Sequence, residues 1–250
     1  MNVVRQKFTY RIQLIFMFLL LGGTYGQEDC KKIIEKLKTL DTNEQIKEFY
    51  AFEGTSSCDK LIANFLSEKT KKDKDSLNLS KVYAIMSYRM NPEFSIIYSD
   101  SLISMNDHQD DYYYIDKYYI RGTVYYYLED PYNAIKELNR SYELAKKEEN
   151  LLIETQSLLL LATIKSEQDG NDEALEVFHK ALNRINKMDV EMEDQKNFLL
   201  TEALESLTIY HLFRKNIDST FHYIDKLKGV LENFDDSETA QSIIILEGEA

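Results

Sequence analysis

The side chains in this sequence best suited to metal or nucleophilic chemistry are His108, His179, His211, His222, Cys30 and Cys58. The histidines are scattered. His211 and His222 could approach each other only across an antiparallel helix pair, and two imidazoles without a placed third ligand do not make a zinc site. The run Asp169-Gly170-Asn171-Asp172-Glu173 has the outline of a calcium loop, which needs Gly at its sixth place and Glu at its twelfth. Those places hold Ala174 and Lys180. The run therefore reads as a helix corner, with Gly170 in the turn, Asn171 as cap and the acids at the positive end of the helix dipole. No Gly-rich phosphate loop, Gly-x-Ser-x-Gly elbow or paired-cysteine motif is present. The sequence leads to the expectation of no catalytic residue, no cofactor and no metal.

Tyrosine is the one unusual component. Nine of the 18 tyrosines lie between Tyr112 and Tyr132. Tyr offers a large apolar area with a polar tip, which suits a partner surface as well as a loosely filled core. On a helix, Tyr119 and Tyr126 share a face with Asp116, while Tyr118 and Tyr125 share another. The chain carries a formal charge of -13. A surface this acidic repels phosphate backbones, so binding to nucleic acid through this segment is not expected.

Residues 1–26 have the parts of a signal peptide. Arg5, Lys7 and Arg11 form a positive start, Ile12 to Leu21 an apolar middle, and Thr24 and Gly26 flank Tyr25 in the small-x-small manner of a cleavage site. The apolar run is shorter than the roughly 20 residues that span a bilayer. Without this leader the chain holds 27 basic and 43 acidic residues, a charge of -16. Glu28 and Asp29 precede Cys30, which does not support a lipoprotein anchor. Contact with a membrane is expected only through an uncleaved leader or a C-terminal helix beyond this segment. Export would leave Cys30 and Cys58 in an oxidising compartment, where a disulfide is permitted. A break at Asp41-Thr42-Asn43 would bring a returning helix, and residue 58 with it, back towards residue 30. The residues leave two readings open, a bridge or two unpaired small hydrophobes.

Positioning these side chains falls to helices. Only 8 Gly and 2 Pro occur in 250 residues, against the roughly 12% of average usage, and strand-and-turn architectures need more of both. Apolar residues recur at helical spacing over 29–40, 43–52, 58–70, 77–90, 92–105, 111–128, 131–147, 151–168, 172–188, 194–214, 217–233 and from 237 onward. Asn91-Pro92 and Asp130-Pro131 each put a capping side chain before a proline at the first helical position. These pairs stand 39 residues apart. The set Tyr118, Arg121, Gly122, Tyr125, Ala134, Leu138, Ser141 maps by a shift of 40 onto Leu158, Leu161, Ala162, Lys165, Ala174, Phe178, Ala181. A backward shift of 40 reaches Asn78, Lys81, Val82, Ile85, Phe94, Tyr98 and Ser101. A forward shift of 46 from the second set reaches Leu204, Leu207, Thr208, His211, Thr220, Ile224 and Leu227.

On these residues the chain resembles the tetratricopeptide repeat family, in which antiparallel helix pairs stack into a superhelix. The implied fold is all-α, an α-solenoid of antiparallel helix hairpins. Residues 27–75 would be a degenerate repeat or cap, 76–236 repeats of about 40 residues, and 237–250 the start of a further repeat helix that continues in a longer parent. Gly122, Ala134, Ala162 and Ala174 would let hairpin helices touch, and Tyr125, Phe178 and Ala181 would complete the packing. Lys165 stands where the family prefers an aromatic, and the family's Trp and closing Pro are missing. The family's inner face lines a groove that grips peptides or partner helices. That implies a groove of Tyr119, Thr123, Tyr126, Tyr127, Leu159, Thr163, Glu202 and Glu205, continued by Ser166, Glu167, Ile209 and Phe213.

The leader and array together are similar to the periplasmic N-terminal sensor part of tetratricopeptide-bearing AraC-type or histidine-kinase regulators of Bacteroidetes. The expectation is an exported, non-enzymatic protein- or peptide-binding domain. A standalone periplasmic adaptor or assembly factor is the alternative.

Overall fold

The order of caps and apolar stripes predicts a chain of helices, and helices are what form. The computed structural model describes residues 27–52, 56–89, 91–168, 173–189, 192–231 and 237–249. The expected leader at 1–26 and the expected corner at Gly170 lie outside the described residues. The helices are α1 Gln27–Lys38, α2 Thr42–Ala51, α3 Ser56–Asp73, α4 Ser76–Arg89, α5 Pro92–Met105, α6 Lys117–Tyr127, α7 Pro131–Lys147, α8 Leu151–Ser166, α9 Glu173–Ile185, α10 Glu193–Phe213, α11 Ile217–Leu231 and α12 Ser237–Glu249. Among the described residues there is no strand, so the fold class is all-α.

One corner recurs four times. Lys74, Glu129, Glu149 and Lys215 take a left-handed backbone, with φ of 56°, 56°, 57° and 57°. Each is followed by Asp75, Asp130, Asn150 or Asn216. The amide of that second residue donates back to the carbonyl five residues earlier, as in Asp130 N to Tyr125 O at 3.0 Å and Asn216 N to His211 O at 3.0 Å. Its side chain then caps the next helix, accepting from Asn78 N at 3.1 Å, Asn133 N at 3.1 Å, Ile153 N at 3.0 Å and Ser219 N at 3.2 Å. Two residues thus close one helix and open the next, which satisfies orphaned backbone groups on both sides. Asp41 caps α2 in the same way through Glu44 N at 2.9 Å. Asn91 does not follow the expectation. Its side chain makes no capping bond, and Pro92 begins α5 with Phe94 N and Ser95 N donating to Asn91 O.

The chain divides into two compact units, 1–112 and 113–250. In the first, α1 packs on α2 and α3, α2 on α3 and α4, and α4 on α3 and α5. Leu37, Ile46, Phe49, Ile62, Leu66, Val82 and Met86 form its core. A disulfide joins Cys30 of α1 to Cys58 of α3 with a Cα separation of 5.3 Å, because the turn at Asp41 reverses the chain as the bridge reading required. Arg89 Nη1 donates to Phe49 O at 2.6 Å and Nη2 donates to Tyr50 O, closing the end of α2. The same guanidinium stands 3.5 Å from the buried carboxylate of Asp59. The expected register fails in α5. Phe94 is 44% exposed, whereas Ser95, Ser99 and Leu102 are buried. Counting from the two prolines, 39 residues apart, these three are the counterparts of Ala134, Leu138 and Ser141, so the 40-residue shift misplaces the helix by one position.

In the second unit α6 to α12 pack each on the next. Gly122 brings α6 so close to α7 that a Cβ there would stand 2.8 Å from Leu138 Cγ. Ala134, Ala162, Ala174, Phe178 and Ala181 are fully buried and Tyr125 is half-buried. Small side chains again set the approach of α7 to α8, where Ser157 Oγ donates to Ser141 Oγ at 2.8 Å. Two buried acids are held by arginines across or along helices. Glu137 meets Arg121 at 2.8 Å and Arg140 at 3.2 Å, and Glu154 meets Arg184 at 2.8 Å. Lys165 reaches Glu173 at 2.6 Å, an ion pair at the position where an aromatic was expected.

Candidate functional site: the first-helix face of the second unit

The four first helices of this unit, α6, α8, α10 and α12, contact one another in series, and α6, α8 and α10 also contact their hairpin partners. Among the described residues the second helices α7, α9 and α11 make no such contact with one another. In a two-layer stack, the layer whose members stand closer lies on the inside of the curve. The first helices therefore line a concave face, with α8 as its floor between α6 and α10.

Tyr119 of α6 is half-buried against the cluster of Ala134, Leu138, Leu161 and Ile164. Thr123, one turn on, is buried, and its hydroxyl donates to Tyr119 O at 3.0 Å. Tyr126 is half-buried, and its hydroxyl donates to Glu167 Oε1 at 2.8 Å, linking α6 to the end of α8. Its ring meets Tyr127 with centroids 5.7 Å apart, tilted by 53°. Tyr127 is 58% exposed. On α8, Thr163 is half-buried and its hydroxyl donates to Leu159 O at 3.0 Å. Glu202 of α10 is exposed and Glu205 half-buried. Leu159 departs from the groove reading. It is 6% exposed and belongs to the larger core cluster with Leu199, Ala203 and Leu204 of α10.

Burial, and then the charge of Glu202, push the hydroxyl of Tyr119 well above the usual tyrosine range and raise that of Tyr127. Glu202 on α10 is thus within electrostatic reach of two side chains on α6, across α8. Burial also raises the Glu167 carboxyl, partly offset by the bond from Tyr126.

The remaining candidates do not converge on a site. His211 is buried, stacked on Tyr223 with centroids 5.3 Å apart and an interplanar angle of 12°. Burial, Arg214, His179 and His222 all lower its pKa. Among the described residues no three His, Cys, Asp or Glu are placed to hold a metal ion. The cysteines are bridged and buried. Reasoning from sequence missed Lys117, which is 1% exposed. Its ammonium lies 4.8 Å and 5.1 Å from the ring centroids of Tyr114 and Tyr118, so two members of the tyrosine run house a buried cation. The only signal for it is a lysine set among aromatics. No family model matches the chain, and no curated protein matches it.

Proposed function

We propose that this protein is a tetratricopeptide-like domain that binds another protein or a peptide on the first-helix face of residues 113–250. The observation that carries the reading is the serial contact of the first helices α6, α8, α10 and α12. Tyr119, Tyr126 and Tyr127 present rings beside Glu167 and Glu202 on a face whose curvature follows from contacts among first helices only. Aromatic side chains with polar tips are the ones enriched where proteins meet. An enzymatic reading has less support, because no nucleophile, base and orienting group stand together among the described residues.

The domain belongs outside the cytoplasm on this proposal. The leader and the Cys30–Cys58 bridge support it, since disulfides persist in oxidising compartments. Mass spectrometry of the exported chain should find Gln27 at its N-terminus, and a retained Met1 would argue against cleavage. The resemblance to sensor parts of membrane-spanning regulators makes a signalling role the first reading and a standalone periplasmic adaptor the second. An apolar stretch of about 20 residues encoded downstream of Ala250 would favour the first.

The binding role is tested with a photo-crosslinking residue in place of Tyr127, and in place of Tyr132 on α7, which is still more open to solvent. A partner captured at position 127 and not at 132, whose purified form loses affinity for Tyr127→Ala, supports the proposal. Equal capture at both positions, or an unaltered affinity, refutes it.

A further inference from the structure

The acid of this chain is not evenly spread. Residues 27–112 hold 12 basic and 16 acidic side chains, whereas 113–250 hold 15 and 27, a charge of -12 in the unit that carries the hollow. Several of the basic side chains in that unit are paired within or between helices, such as Arg121 and Arg140 on Glu137, Arg184 on Glu154 and Lys180 on Glu176. The hollow brings together two kinds of group that attract cations. Glu167 and Glu202 supply carboxylates from α8 and α10, and Tyr126 and Tyr127 supply ring faces from α6. A guanidinium or ammonium gains from both at once, and most in a partly desolvated setting.

The occupant's shape follows from the helices. Packed helix axes stand about 8–10 Å apart, so the path from α6 over α8 to α10 is about 20 Å. An extended chain rises about 3.3 Å per residue and crosses that path with about six residues. Its side chains alternate, so every second one faces the hollow.

Taking the hollow as the binding face, we infer that it receives an extended basic segment of a partner protein. Lys or Arg side chains stand over Tyr126 and Tyr127 and reach Glu167 and Glu202, and an apolar side chain between them rests near Tyr119. The carboxylates must be ionised for this. Because burial raises Glu167 above its ordinary value of 4.5, the attraction fades as pH falls through a window that begins above that value.

The test uses the full chain and three fluorescent six-residue peptides in which Leu alternates with Lys, Gln or Glu, read by anisotropy, with spermidine as competitor. The Lys peptide should bind more tightly than the Gln peptide and the Glu peptide should not bind. High salt should weaken it. Glu167→Gln and Glu202→Gln should each cost about tenfold, and Glu176→Gln on α9 should change nothing. Equal binding of all three peptides, lost in Tyr127→Ala, would overturn the choice of a basic segment and leave the binding face standing. Binding of the Lys peptide unchanged in both Gln variants would overturn the placement. Spermidine binding without peptide binding would make the hollow a small-polycation site and overturn the peptide. Failure of every probe would remove this inference, while the captured partner at position 127 would still decide the face itself.

Discussion

Replacing Gly122 by Ala offers a direct reading of how closely α6 approaches α7. A Cβ at this position would lie 2.8 Å from Leu138 Cγ, 2.9 Å from Leu138 Cδ2 and 3.3 Å from the Leu138 backbone nitrogen. The first contact is with the branch carbon of a fully buried side chain, so Leu138 cannot yield by swinging its far end, and the nearby backbone limits a shift of the helix. Overpacking of this kind costs about 1–3 kcal/mol, while removing a helical glycine returns about 1 kcal/mol. The clash wins, with a net loss of about 1 kcal/mol and a fall in Tm of about 2–4 °C for a chain of this size. Gly229 is the internal control. It lies in α11, and a Cβ there meets nothing within 4 Å, so Gly229→Ala should gain about 0.5–1 kcal/mol. Calorimetry of both variants should therefore give shifts of opposite sign. In a Leu138→Ala background the Gly122→Ala change should turn neutral or stabilising, since the obstructing carbons are gone. Equal stabilisation by both glycine replacements, or no dependence on Leu138, would refute the close approach and the hairpin register with it.

Other expectations follow from the same packing. Ala174→Leu should overpack a fully buried crossing and lower stability by about 1–3 kcal/mol in a thermal melt. Cys58→Ser should cost about 3–4 kcal/mol, the loop-closure value for a bridge between residues 28 apart; a loss far smaller would mean that α1 and α3 are held by packing alone. Glu137→Ala leaves two arginines around a buried vacancy and should cost about 3–5 kcal/mol in denaturant unfolding. His211 has a folded pKa below its ordinary 6.5, so the unfolded chain takes up the proton first as pH falls. The stability it contributes is intact above 6.5 and is lost as pH falls toward and through the lowered value. His211→Phe should flatten that part of the stability profile; an unchanged profile would assign the slope to other groups.

Helix order was legible because punctuation in this chain is sparse and local. Prolines at 92 and 131 and the Asp caps at 41 and 130 fix where helices start, independently of what they pack against. Register was less secure. The period mixes steps of 39, 40 and 46 residues, and applying the wrong one moved α5 by a residue and put Phe94 where Ser95 belongs. The start of α6 was set six residues early, at 111 instead of Lys117. There the Asp111 carboxylate accepts from His108 N at 2.8 Å, a local turn that competes with helix. The hollow was legible as a set of helical positions but not as contacts. The Tyr126–Glu167 bond and the reach of Glu202 to Tyr127 depend on how successive hairpins stack, and so does the burial of Leu159.

Carboxyl footprinting tests the central claim most directly. With the full chain and the partner captured at position 127, a carbodiimide should modify Glu167 and Glu202 in the free protein. Partner binding should shield both, while Glu176 and Glu193 react as before. Shielding of Glu176 on α9 with Glu167 and Glu202 still reactive would place recognition on the second helices and contradict the account.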